Sequence, residues 1–108
     1  MIINRDMEKK KIYISGAITG FDLEERKSAF HRAASYLSLK GYEAVNPFEN
    51  GLPQPGDRRD HLRADLGTLL VCDGIYLLDG WYVSEGSKLE LLVASSCGLD
   101  VMFECAGL

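Results

Sequence analysis

Leu78-Asp79-Gly80-Trp81-Tyr82-Val83-Ser84-Glu85-Gly86-Ser87-Lys88-Leu89-Glu90-Leu91 joins the end of a short apolar run to the first turns of a helix. The run, Ile75 to Leu78, has the character of a strand buried on both faces. Asp79-Gly80 stops it. Ser84 is a good N-cap, and Glu85 adds a carboxylate to the first turn. Leu89, Leu92 and Val93 form the expected apolar stripe, and Glu90 lies beside it. The helix is expected to run to about Cys97, with Gly98 as its stop. Glu is mostly exposed in folded proteins, so Glu90 read alone is a solvated helix residue. Near the top of a buried strand, a carboxylate at this position would instead face a crevice. In open α/β sheets ligands bind there, at the carboxyl ends of the strands.

Outward from this stretch the pattern alternates. Upstream, Asp73-Gly74 breaks a helical segment that begins at Arg59 or Asp60 and runs to Cys72. Leu62, Leu66, Leu69 and Leu70 give its apolar face, and Asp65 departs from that face. Between Pro47 and Asp60 lies a polar loop containing Gly51, Pro53, Pro55 and Gly56, which reads either as a binding loop or as a connector. Tyr42 to Asn46 is a second short strand, broken by Asn46-Pro47. Before it, Asp22 caps a helix with Glu24 and Glu25 in its first turn. Phe30, Ala33, Ala34 and Leu37 form its stripe, and Gly41 ends it. Lys11-Ile12-Tyr13-Ile14-Ser15 is the first strand. Gly16-Ala17-Ile18-Thr19-Gly20 after it is either a tight turn or a backbone that passes close to a ligand. Downstream, Asp100 to Glu104 is the last strand.

Strands alternating with helices imply a parallel sheet covered on both faces. Right-handed crossovers reduce the topology to a small flavodoxin-like, doubly wound α/β fold of four or five strands. Residues 1–10 read as a flexible leader, in which Met7 is an alternative start, and residues 11–108 as one domain.

Composition narrows the function. With 46% hydrophobic and 26% charged residues the chain is ordinary for a soluble globular domain. A net charge of -4, with Arg58-Arg59 flanked by Asp57 and Asp60, argues against a nucleic-acid polymer as partner. Three cysteines without a Cys-x-x-Cys pair argue against a disulfide framework and a zinc site. Cys72 and Cys97 are expected to be buried. His31 and His61 are far apart in sequence, and His31 reads as a surface residue. No run is long enough to span a membrane, and no signal-peptide core is visible at the N-terminus. A cytoplasmic protein without membrane attachment is expected.

Taken together the motifs resemble the nucleoside 2-deoxyribosyltransferase superfamily, which includes the 2′-deoxynucleoside 5′-monophosphate N-glycosidases. The resemblance is carried by Tyr13 to Gly20, by Asn46-Pro47, by Asp65 with Asp73 eight residues on, and by Ser84 to Leu91, which looks like the Ser-x-Gly-x-x-x-Glu-Leu signature. It covers roughly Lys11 to Glu104 and points to a small phage and bacterial branch. The resemblance implies that Glu90 is the nucleophile toward C1′, that Asp65 contacts the leaving base, and that Tyr13 lies near the nucleophile. It also implies substrate contacts at Ser15, Gly16, Ala17, Ile18 and Gly20, at Asn46 and Pro47, at Asp79, and at Ser84 and Gly86. The implied ligand is a small nucleoside or nucleotide, with no metal or other cofactor. A homo-oligomer, a dimer or larger, is expected from the small sheet and from such relatives. The alternative is a non-catalytic nucleotide-binding module of the same fold. Thr19 departs from the arginine often found there in the monophosphate hydrolases. The loop Asp79–Val83 is one residue longer than theirs. Its Trp81 and Tyr82 are suited either to stacking on a base or to a subunit contact.

Overall fold

The computed structural model describes residues 8–52 and 56–105. Most of the leader, together with Pro53 and Pro55, lies outside the described residues.

The first strand, β1 (Lys11–Ser15), is followed by α1 (Leu23–Leu39), and Asp22 Oδ2 accepts the Glu25 N–H at the start of that helix. Lys40 closes it, and Gly41 follows at φ +91°, a left-handed conformation that favours glycine. The chain continues through β2 (Glu43–Val45), α2 (Arg58–Leu69), β3 (Gly74–Leu77), α3 (Glu85–Ser96) and β4 (Asp100–Phe103). All sheet pairings are parallel, in the order β2-β1-β3-β4. This is the expected four-stranded α/β architecture.

Alternation along β1 and β3 sorts the core into two layers. Ile12, Ile14, Tyr76 and Leu78 meet Phe30, Ala33 and Leu37 of α1 on one face. On the other, Tyr13, Ile75 and Leu77 meet Leu69, Cys72 and Ala94, from α2, the turn after it and α3. The chain steps from β1 outward to β2, then returns to the other side of β1 as β3. The winding therefore reverses between β1 and β3, and a crevice opens at their carboxyl ends.

Three expectations are corrected. Leu89 and Leu92 of α3 are exposed, and the stripe that faces the sheet is Ser87, Glu90 and Ala94. Glu90 thus belongs to the buried face rather than beside it. Leu70 is exposed because α2 ends at Leu69, and the chain turns before Cys72 re-enters the core. Cys97 is exposed at the α3 C-cap, whereas Cys72 is buried as expected and its thiol donates to the Thr68 carbonyl.

The polar loop is partly folded. Pro47–Glu49 forms a single 3-10 turn capped by Asn46, and Phe48 packs edge-on against Phe30 with ring centroids 5.0 Å apart. Trp81–Val83 forms another such turn.

The buried face of α2 and the outward face of α3 have a direct test. Leu69→Ala, at a fully buried site, is expected to cost about 2–5 kcal/mol in urea unfolding. Leu92→Ala, at a site 62% exposed, is expected to change stability by about 0.5 kcal/mol or less. A large loss at Leu92 would contradict this outward face of α3.

Candidate active site

Tyr13 and Ser15 stand two apart on β1 and so point to the same face, toward α3. Opposite them α3 is fixed by its cap, with Ser84 Oγ accepting the Ser87 N–H at 3.1 Å. One turn after Ser87 comes Glu90, whose Oε2 accepts the Tyr13 hydroxyl at 2.8 Å and whose Oε1 accepts the Ser15 hydroxyl at 2.6 Å. The Ser15 and Ser87 hydroxyl oxygens are 3.0 Å apart. Ser15 has one proton and directs it to the carboxylate, which leaves Ser87 to donate to Ser15. Among the described residues no buried side-chain nitrogen or oxygen lacks a hydrogen-bond partner.

Glu90 is only 6% exposed. Burial pushes its carboxyl up to about 7, against the opposing pull of the Ser15 and Tyr13 hydroxyls, and Asp65 adds a small upward push. Tyr13 is driven well above its ordinary value, first by burial and then by the charge of Glu90. It is a neutral phenol that can only be a donor to this carboxylate.

These groups line a cleft of about 440 Å³ at the switch point between β1 and β3. The α2 side of the cleft presents Arg58, His61 and Asp65. Burial raises the Asp65 carboxyl, countered by a hydrogen bond from Asn50 and, when its ring is charged, by His61. Asn50 Nδ2 donates to Asp65 Oδ1 at 3.1 Å and lies 3.0 Å from His61 Nδ1. The loop after β1 supplies Gly16, Ile18, Thr19 and Gly20. Gly16 lies close against Leu78 there: a Cβ would sit 2.9 Å from Leu78 Cδ1 and 3.1 Å from its Cβ, so a side chain would displace buried Leu78. Arg26 braces that loop by donating from Nε to the Ala17 carbonyl at 2.7 Å.

Most of the residues singled out in the sequence therefore converge: Tyr13, Ser15, Gly16, Ile18, Gly20, Pro47, Asp65, Ser84, Gly86 and Glu90 all line the cleft. Others are placed outside its lining. Ala17 is turned into the protein. Asn46 caps the 3-10 turn and lines a smaller adjoining hollow. The Asp79 N–H donates to Glu104 Oε1, and Asp73 accepts the Lys11 N–H. Trp81 packs against Tyr82 and Phe103, and neither it nor Tyr82 lines the cleft. Ser87, Asn50, His61 and Arg58 are additions. The four-residue spacing of His61 and Asp65 is a signal that both share a helix face; Asn50 has no such signal.

Among the described residues no group of three His, Cys, Asp or Glu side chains is arranged to hold a metal ion. No helix among them is long and apolar enough to cross a membrane.

A doubly wound domain with a buried carboxylate at its switch point is thus defined. Its fold is that of the nucleoside 2-deoxyribosyltransferase superfamily, as the motifs led one to expect. The chain belongs to the family described as domain of unknown function DUF4406, whose family model matches residues 10–103. No curated protein sequence matches it. Among solved structures it is similar to the 2-deoxyribosyltransferase of the psychrotolerant bacterium Bacillus psychrosaccharolyticus, with a TM-score of 0.67 and 27% identity over 86% of this chain and 70% of that one. It is also similar in fold to the CMP N-glycosidase BcmB of Clostridium botulinum, with a TM-score of 0.60 and 21% identity over 87% of this chain and 67% of that one. Both neighbours are enzymes.

The burial of Glu90 sets a pH dependence of stability. Unfolded, the carboxyl ionises near its ordinary 4.5; folded, it holds its proton to about 7. Between these values the unfolded chain has lost a proton that the folded chain keeps, so raising the pH favours unfolding. Glu90→Gln removes this penalty while retaining the side chain's shape. The variant should gain stability over the parent progressively from pH 4.5 to 7, by up to roughly 3 kcal/mol at the plateau. Chemical denaturation across that range measures it, and a pH-independent difference would contradict the burial of an ionisable Glu90.

Proposed function

We propose that this chain is an enzyme that cleaves the N-glycosidic bond of a 2′-deoxynucleoside or its 5′-monophosphate, with Glu90 as nucleophile. The observation that carries this reading is the buried Glu90 carboxylate, aimed by two hydroxyls into a cleft that Asp65 also lines. The likeness to a deoxyribosyltransferase and to an N-glycosidase supports the same chemistry.

Departure of the base leaves positive charge on C1′ and the ring oxygen. An ionised carboxylate stabilises that charge and captures C1′ as a glycosyl ester. The C1′–N bond breaks as the Glu90 O–C1′ bond forms, and the electron pair leaves with the base. Asp65 meets the leaving base and hands it a proton. Water attacking C1′ then leaves its hydroxyl on the sugar, returns a proton to Asp65 and frees Glu90 as a carboxylate; a second base, losing its own proton to Asp65, gives transfer. Tyr13 and Ser15 orient the attacking carboxylate throughout. A 5′-phosphate is suited to the start of α3, where Ser84 and Gly86 line the cleft at the positive end of the helix dipole, with Arg58 as a cation lining the same cleft. Monophosphate hydrolysis is the form this arrangement favours. A homo-oligomer in the cytoplasm completes the proposal; the exposed apolar side chains of Tyr82, Val83, Leu89 and Leu92 support the oligomer.

Chromatography of deoxynucleosides and their 5′-monophosphates, with and without an acceptor base, tests the reaction. Base release is expected, with loss of at least 10³-fold in rate for Glu90→Gln, on the order expected when a nucleophile is removed. Because Glu90 must be ionised, kcat/KM should rise with pH through a midpoint near 7. Nucleotide binding without release from any substrate would identify a binding module instead.

Ser84→Ala should raise KM for monophosphates more than for nucleosides, and should cost about 1 kcal/mol of stability through the lost cap. Equal effects on the two substrate classes would remove the phosphate from this end of the cleft.

A further inference from the structure

Asn50 ends the 3-10 turn after β2, and its side chain is committed at both ends. The Leu52 N–H donates to Asn50 Oδ1 at 2.9 Å, which fixes the orientation of the amide: oxygen toward Leu52, nitrogen toward α2. Both hydrogens of that nitrogen then have partners. One goes to Asp65 Oδ1 at 3.1 Å, the other to His61 Nδ1 at 3.0 Å. An imidazole nitrogen that accepts carries no proton, so His61 is the neutral ring with its proton on Nε2. His61 and Asp65 stand one turn apart on the same face of α2, which is why one amide reaches both. Asp65 and Asn50 also line the smaller hollow of about 200 Å³ on the other side, so the fork is part of the wall between two cavities.

We propose that Asn50 is the positioning residue of this site: its amide, locked by the Leu52 N–H, holds Asp65 and the Nε2-protonated form of His61 in one hydrogen-bonded fork. The role rests on Asp65 being the residue that meets the leaving base. With Oδ1 engaged by Asn50, the carboxylate is fixed in rotation and Oδ2 remains to meet the base. A neutral donor amide does this without adding charge to a cleft that already holds Glu90, Asp65 and Arg58. An aspartate in its place would keep the oxygen that Leu52 needs and the same shape, while removing both donors.

The test combines nitrogen NMR of the histidine rings with kinetics. The chain has two histidines, and His31 is exposed on α1, so His31→Gln identifies the His61 signals. In the parent protein at neutral pH, His61 is expected to show an unprotonated Nδ1 and a protonated Nε2. In Asn50→Asp an acceptor faces Nδ1, and that nitrogen should take up a proton. Base release by Asn50→Asp should fall about 10- to 100-fold in kcat with a smaller change in KM, as for the loss of a hydrogen bond to a charged group. Asn50→Ala should lose as much or more, since it also removes the acceptor for Leu52. A protonated Nδ1 in the parent protein overturns the fork and needs no variant. Parent-like kcat in Asn50→Asp overturns the positioning role. Absence of base release from the parent, with the ring signals as stated, overturns the glycosyl reading and supports the fork.

Discussion

A buried carboxylate held by two hydroxyls is the interaction on which the rest of this molecule depends. Glu90 is anchored by Tyr13 and Ser15, side chains of the central strand β1, at 2.8 and 2.6 Å. Burial alone would keep the group protonated. The two donors work against that, and the balance lies near neutrality, where both protonation states are accessible. A carboxylate so placed destabilises the fold at neutral pH. The fold carries this cost at the one position where the reversal of winding between β1 and β3 opens a cleft beside it.

The layers explain how the anchor is built. Alternation on β1 sends Ile12 and Ile14 into the α1 layer and leaves Tyr13 and Ser15 for the face shared with α2 and α3. The Ser84 cap sets the start of α3, and this start decides which of its residues face the sheet. The α2 wall is fixed separately, by Asn50 reaching across from the turn after β2 to His61 and Asp65. Two carboxylates of different environment thus face one cleft, each oriented by neutral donors from another element.

Much of this was legible in the sequence. The bounds of β1, the caps Asp22 and Ser84 and the stop at Gly41 follow local rules, and local rules hold where backbone hydrogen bonding and φ dominate. The motif residues of the cleft were legible through their family resemblance. The face of α3 was not. Its buried stripe is Ser87, Glu90 and Ala94, polar or small, while the apolar Leu89 and Leu92 point outward. A hydrophobic period identifies the buried face only when burial follows apolarity, and a functional site is where that link is broken. Cys97 and Leu70 were misplaced for a simpler reason, since each lies just where its helix ends. Asn50 was invisible because nothing local marks a side chain whose partners are eleven and fifteen residues away.

The central claim is that Glu90 carries the sugar between bond cleavage and release. Fluorine at C2′ of a deoxynucleoside or its monophosphate withdraws charge from C1′ and slows breakdown of a glycosyl ester. Incubation with such a compound, followed by peptide mass mapping, tests the claim most directly. The account predicts the mass of the fluorinated sugar, or sugar phosphate, on the peptide that contains Glu90, and none in Glu90→Gln. An adduct on a different carboxylate, or turnover of the parent substrate by Glu90→Gln at an undiminished rate, would contradict it.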